Sequence, residues 1–147
     1  MTAKKEIGFE VRSLSNLIKR DVERSRMFEF CQSTGLHGWA IGWFYDNRGK
    51  DIFQRDFEER FSIRRSTASK MLSLMEKNGL IERVSVEQDA RLKKIVLCDR
   101  AVELHRKITA EINEREARMC RGIDEQELEC FFSVIDKIKN NLEDNDD

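Results

Sequence analysis

Residues 64–97 read RRSTASKMLSLMEKNGLIERVSVEQDARLKKIVL, and two different periods meet inside them. Ala68, Met71, Leu72, Leu74 and Met75 recur at helical steps, and Asn78-Gly79 supplies a C-terminal stop. After Leu80 the period shortens to two. Ile81 to Val86 predicts a strand, Glu87-Gln88-Asp89-Ala90-Arg91 a polar turn with Arg91 at its tip, and Lys94-Ile95-Val96-Leu97 the returning strand. Just upstream, Ile52, Phe53, Phe57 and Phe61 mark another short helix, separated from the next only by Ser62-Ile63-Arg64-Arg65. Two helices joined by so short a turn form a helix-turn-helix, and a two-stranded ribbon behind them makes a wing.

Working outward, an aromatic segment after Gly35 carries Leu36, Trp39, Ala40, Trp43, Phe44 and Tyr45 and ends in the turn residues Asp46-Asn47-Arg48-Gly49. Near the start of the chain Ile7, Val11, Leu14, Ile18 and Val22 repeat at steps of three and four, with Leu17 beside them. Beyond the wing, Ala101, Leu104, Ile108 and Ile112 mark a long helix from Asp99 that fades near Arg121-Gly122. Asp124 followed by Glu127 resembles a capping box, and Leu128, Phe131, Phe132, Ile135, Ile138 and Leu142 then form a last amphipathic helix before an acidic end. The fold class expected is mainly α with a small β wing. One domain would span residues 1–147, with a winged helix-turn-helix at approximately 35–98 and dimerisation helices at 6–34 and 99–142. The centre has its own core residues, so a second copy of the chain is the economical partner for the terminal stripes.

Composition supports one ordinary domain and excludes several classes. The chain has 147 residues, 39% of them apolar, and its 37% charged fraction exceeds the ~25% of average proteins. Proline is absent, which leaves long helices unbroken. No apolar run approaches the ~18 to 20 residues of a membrane helix, and Met1-Thr2-Ala3-Lys4-Lys5-Glu6 lacks a signal-peptide core. A soluble, cytoplasmic protein without a membrane partner is therefore expected. Cys31, Cys98, Cys120 and Cys130 show no CxxC spacing and are expected to be reduced, small hydrophobes. No GxGxxG, Walker A or GxSxG motif occurs, and the carboxylates and cysteines are scattered, so neither an enzyme nor a cofactor is expected. His37 and His105 lie far apart; with Cys31 they are the one zinc-binding set that folding could gather, and no metal site is expected.

The formal net charge of −1 hides a basic centre and an acidic tail. Residues 60–94 hold nine Lys and Arg against four Asp and Glu, whereas residues 123–147 hold two against nine. That asymmetry suggests one local anionic partner. With Ala68, Met71, Leu72 and Met75 facing inward, the second short helix turns Arg65, Ser66, Ser69, Lys70 and Ser73 outward, and Arg64 and Thr67 join them as candidate DNA contacts. Small hydroxyls between cations allow close approach to DNA: Arg and Lys reach guanine edges, and Ser and Thr bond bases or phosphates. In the wing, Arg91 with Lys93 and Lys94 suits a minor groove, and Asp89 can brace Arg91. A solvated, Ser-rich helix face is the bland alternative for the helix alone; helix, turn, helix and basic wing together favour DNA.

This run resembles the winged helix-turn-helix of the MarR family, bacterial regulators first associated with multiple antibiotic resistance. The resemblance is carried by Ser66-Thr67, by the spacing to Met75-Glu76-Lys77-Asn78-Gly79-Leu80-Ile81, and by Asp89-Ala90-Arg91 in the wing. Gly38 to Asp56 matches in length and pattern, and the flanking helices fit the family's dimerisation elements. It implies a homodimer reading a pseudo-palindromic double-stranded operator, with Arg65–Asn78 as recognition helix in the major groove, Arg91 in the minor groove, and repression as the commoner outcome. Leu97-Cys98-Asp99-Arg100-Ala101 departs from the family's usual Leu-Thr start of the next helix. Peroxide-sensing members carry a reactive cysteine near the start of the first helix, and no cysteine precedes Cys31 here.

His37, Trp39 and Trp43, with Phe44 and Tyr45, are candidates to line a pocket for a small-molecule effector such as an aromatic anion, against the commoner reading that they are core. A winged-helix dimeric adaptor that binds protein instead of DNA is the alternative function.

Overall fold

The computed structural model describes residues 4–24 and 36–144. Expectations that fall on residues 25–35, including Cys31 and the end of the first dimerisation segment, lie outside the described residues, as does the side chain of His37. In chain order the elements are α1 (Ile7–Glu23), α2 (Leu36–Asp46), α3 (Gln54–Phe61), α4 (Arg65–Lys77), β1 (Ile81–Val86), β2 (Asp89–Leu97), α5 (Asp99–Met119) and α6 (Glu125–Glu143). They divide into two compact units, one ending at Ala110 and the other beginning at Glu111. The mainly helical fold with a β wing read from the sequence is the one observed.

The core of the first unit sits where the apolar periods converge. Ala40, Ile41 and Phe44 of α2, Phe57 of α3, Ala68, Met71, Leu72 and Met75 of α4, and Leu80, Ile81 and Ile95 of the ribbon are all buried. Phe57 lies at its centre, with ring centroids 5.4 Å from Phe44 and 4.9 Å from Phe61. Burying one such side chain contributes ~1.5–3 kcal/mol, so this cluster fixes how α2 and α3 meet. Between α3 and α4 the chain reverses at Ser62, which takes the left-handed conformation with φ of 49°. Its N–H donates to the Glu59 carbonyl at 3.3 Å and that of Ile63 to Glu58 at 3.1 Å, which ends α3 sharply. At the other end of α3 the Phe53 N–H donates to Asp56 Oδ2 at 2.9 Å.

β1 and β2 form an antiparallel ribbon in the register Ile81↔Leu97, Arg83↔Ile95 and Ser85↔Lys93, with an irregularity between Ser85 and Val86. One sequence expectation is corrected here. The turn is only Glu87-Gln88, and Arg91 is the third residue of β2 instead of the tip of a longer loop. The reason is local: Asp89 Oδ1 accepts the Arg91 N–H at 2.9 Å, so the side chain shapes the backbone that a wider turn would have used. The base of the ribbon is anchored by the Ile95 N–H donating to the Ile52 carbonyl at 2.7 Å.

α5 begins at Asp99 despite the departure from the family pattern, because the Cys98 carbonyl accepts from Ala101 at 3.0 Å and from Val102 at 3.2 Å. Asp99 then meets the positive end of the helix dipole. Burial, aided by Glu82 and Asp99, pushes the Cys98 thiol up from its ordinary value, so at neutral pH it is a protonated, poorly nucleophilic group. Arg100 Nη1 donates to the Asn78 carbonyl at 2.8 Å and so covers the C-terminal end of α4.

In the second unit α6 starts with a reciprocal cap. The Glu127 N–H donates to Asp124 Oδ1 at 2.8 Å, and the Asp124 N–H to Glu127 Oε2 at 2.9 Å. Asp124→Ala is expected to cost about 1 kcal/mol, read as a lowered melting temperature with little change in helical content. None of the described residues of α6 is buried, and Phe131, Phe132, Val134 and Leu142 are exposed. On α1 only Val22 is buried, and Ile7, Phe9, Val11, Leu14 and Leu17 face solvent in the single chain. Among the described residues no helix is long and apolar enough to cross a membrane.

Candidate nucleic-acid interface

The second helix of the helix-turn-helix presents its N-terminal end as a basic surface. Arg64 occupies the N-cap, Arg65, Ser66 and Thr67 form an exposed first turn, and no acidic residue lies there. Unsatisfied backbone N–H groups and the dipole's positive end add to those cations, a combination that favours phosphate oxygens. Lys70 and Ser73 continue the exposed face. Ser69 is half-buried, with its hydroxyl 3.5 Å from Gln54 Nε2, which also lies 3.4 Å from the Arg65 carbonyl. Gln54 thus ties the first helix of the motif to the second, and Ser69 is less available than its spacing suggests.

On the wing, the Arg91 side chain is 95% exposed with its Nε 3.6 Å from Asp89 Oδ1. The expected bracing by Asp89 is therefore present, through both the backbone N–H and the guanidinium. Lys93 is exposed as well. Lys94 points elsewhere: its Nζ lies 3.4 Å from Asp51 Oδ1, on the segment between α2 and α3. The sequence places these three cations together; strand alternation separates Lys94 from Arg91 and Lys93.

Between the helix-turn-helix and the wing runs a groove lined by Arg55, Arg65, Arg83, Arg91 and Lys93, with Glu58 as its acid. Arg55 and Arg83 escaped the sequence reading. Arg83 shares a strand face with buried Ile81, a signal that directs it toward α4 instead of solvent. Arg55 sits on α3, paired with Glu59 at 3.1 Å, and only the tertiary fold brings it to the wing.

The described aromatic candidates differ in their surroundings. Phe44 is buried, and Trp43 joins the core cluster, 5.3 Å from Phe44 and edge-on to Phe61 at 6.0 Å. Trp39 is exposed. Tyr45 stacks on His105 at 4.2 Å with the Arg48 guanidinium 3.5 Å from the Tyr45 ring, which gives His105 an aromatic partner. Among the described residues no three His, Cys, Asp or Glu side chains are gathered for a metal.

A helix-turn-helix of this geometry, with a cationic second helix and a two-stranded basic ribbon, is a winged helix-turn-helix. The MarR family model matches residues 34–92, the stretch that holds the helix-turn-helix and most of the wing. Solved structures extend the likeness of fold over nearly the whole chain. The transcription regulator MarR from Oenococcus oeni PSU-1 is 24% identical, covers 92% of this chain and 99% of its own, and superposes with a TM-score of 0.78. MepR from S. aureus, solved as a MepR–DNA complex, is 23% identical with 95% and 99% coverage and a TM-score of 0.81. The PcaV transcriptional regulator from Streptomyces coelicolor, in complex with its natural ligand, is 20% identical with 95% and 98% coverage and a TM-score of 0.77.

Proposed function

We propose that this protein is a sequence-specific, double-stranded DNA-binding transcription regulator that acts as a homodimer. The observation that carries this reading is the cationic surface formed jointly by the first turn of α4 and by Arg91 and Lys93 of β2. The recognition helix enters the major groove with Arg65 and Lys70 toward base edges, while Arg64, Ser66 and Thr67 hold phosphates. Arg91 enters the adjacent minor groove. The structurally similar MepR–DNA complex supports this role for the fold. Residues 35–98 act as the DNA-binding region, and the helices within 6–34 and 99–142 as dimerisation elements, in the cytoplasm. Repression is the proposed outcome, because a dimer seated on an operator blocks the promoter it overlaps. No catalytic step is part of this function. A small-molecule effector completes it, supported by the ligand complex of PcaV. Of the aromatic candidates, exposed Trp39 is available for such contact, whereas half-buried Trp43 packs against Phe44, Phe57 and Phe61.

Selection of duplexes from a random pool tests this directly. A palindromic consensus is expected, and raising salt from 50 to 200 mM should weaken binding by about 10³ if some six phosphates are neutralised per dimer. A pool that yields no enriched site would count against sequence-specific recognition.

A further inference from the structure

Arg83 occupies an unusual place for a cation on a basic surface. It lies in the middle of β1, three-quarters covered, with Nη2 donating to Ser73 Oγ at 3.1 Å and Nε 3.5 Å from Glu76 Oε2. The same Glu76 oxygen accepts the backbone N–H of Arg83 at 3.2 Å. One carboxylate on α4 therefore grips the wing strand by main chain and side chain together. Glu76 itself is otherwise badly placed. It stands in the last turn of α4, where a negative charge opposes the helix dipole, on a surface whose other charges attract phosphate. Arg83 accounts for it by neutralising that charge.

We infer that Arg83 is a positioning residue that, with Glu76 and Ser73, locks the wing to the recognition helix so that both readers meet the duplex in one fixed spacing. This inference rests on the DNA-binding reading and assigns Arg83 a role other than phosphate contact. Lys70 on α4 and Arg91 on β2 belong to different elements, and their contacts reinforce each other only if the angle between those elements is set before binding. Ser73 is correspondingly occupied in the free protein, so its hydroxyl serves the strut before it serves a base.

Glu76→Gln separates the two roles, because it breaks the charge pair while leaving the Arg83 cation in place. Three variants, Glu76→Gln, Arg83→Met and Arg83→Lys, are titrated against the selected duplex and a scrambled duplex over a salt series, with thermal melting to confirm folding. Glu76→Gln and Arg83→Met should each lose about tenfold on the selected duplex, as expected when one link of a coupled network is cut. Binding to the scrambled duplex and the salt slope should be nearly unchanged, and Arg83→Lys should recover part of the loss. If Glu76→Gln binds as tightly as the parent or tighter while Arg83→Met loses affinity with a slope smaller by about two, one for each half-site, Arg83 is a phosphate contact and the strut is refuted. If all three folded variants match the parent, the strut is also refuted, although the DNA-binding reading survives. A parent protein that shows no salt-dependent DNA binding would instead overturn the underlying reading.

Discussion

Ile135→Asp is expected to convert the proposed dimer to monomer or aggregate. Leu128, Phe131, Ile135 and Ile138 fall at steps of three and four on α6, the spacing of one helical stripe. Within the single chain none of them is buried, and Phe131 remains 48% exposed. α1 presents a second such stripe, with Ile7 61% and Leu14 48% exposed. An apolar surface of this kind is the mark of an interaction site, and the proposed two-fold partner covers it. A carboxylate placed at Ile135 would then be buried without a partner, at a cost of several kcal/mol for each of the two copies. Sedimentation velocity reads the result, with Asn140→Asp, an exposed position off the stripe, as control. A variant that sediments as an unaltered dimer would place the interface elsewhere.

Lys70→Ala should produce the other large effect, on DNA. Lys70 is exposed on the outward face of α4, and no ion pair of its own accompanies it among the described contacts. Loss of a base-edge contact costs about 1–3 kcal/mol per half-site, and a dimer on a palindrome loses it twice, about 2–6 kcal/mol in all. Arg65→Ala belongs to the same class. Arg91→Ala should differ in kind: a lost minor-groove cation weakens binding on many sequences, most on narrow A·T-rich flanks, and reduces the salt slope. These effects are separable from misfolding, because all three side chains lie outside the core.

Much of this architecture is legible in the chain because its local signals agree. The four inward positions of α4, the stop at Asn78-Gly79 and the Asp124–Glu127 cap all occur where their spacing predicts them. These are short-range features, set by helical period and capping chemistry. The wing turn is less legible, since four polar residues and an alanine fit a long loop as well as a short one. Asp89 decides between them by accepting the N–H of Arg91, two residues further on. Lys94 and Ser69 look available in sequence but are engaged by Asp51 and Gln54, partners 43 and 15 residues away. Arg55 reaches the groove only through tertiary packing, about which periodicity along α3 carries no information, whereas for Arg83 strand alternation with Ile81 gives the direction but not the partners. Trp43 illustrates the same limit from the other side: its ring contacts with Phe57 and Phe61, 14 and 18 residues away, are set by tertiary packing.

The most direct test of the winged helix as the DNA-reading surface is fluorescence anisotropy of the selected duplex titrated with the parent and with the Lys70→Ala/Arg91→Ala double variant. The series runs across salt concentrations, and circular dichroism confirms that both proteins are folded. The double variant should bind the selected duplex no better than a scrambled one, with a salt slope reduced by about two, one for each half-site's lost wing cation. A folded double variant that binds the selected duplex with the parent's affinity and slope would contradict the assignment of α4 and β2 as the surface that reads DNA.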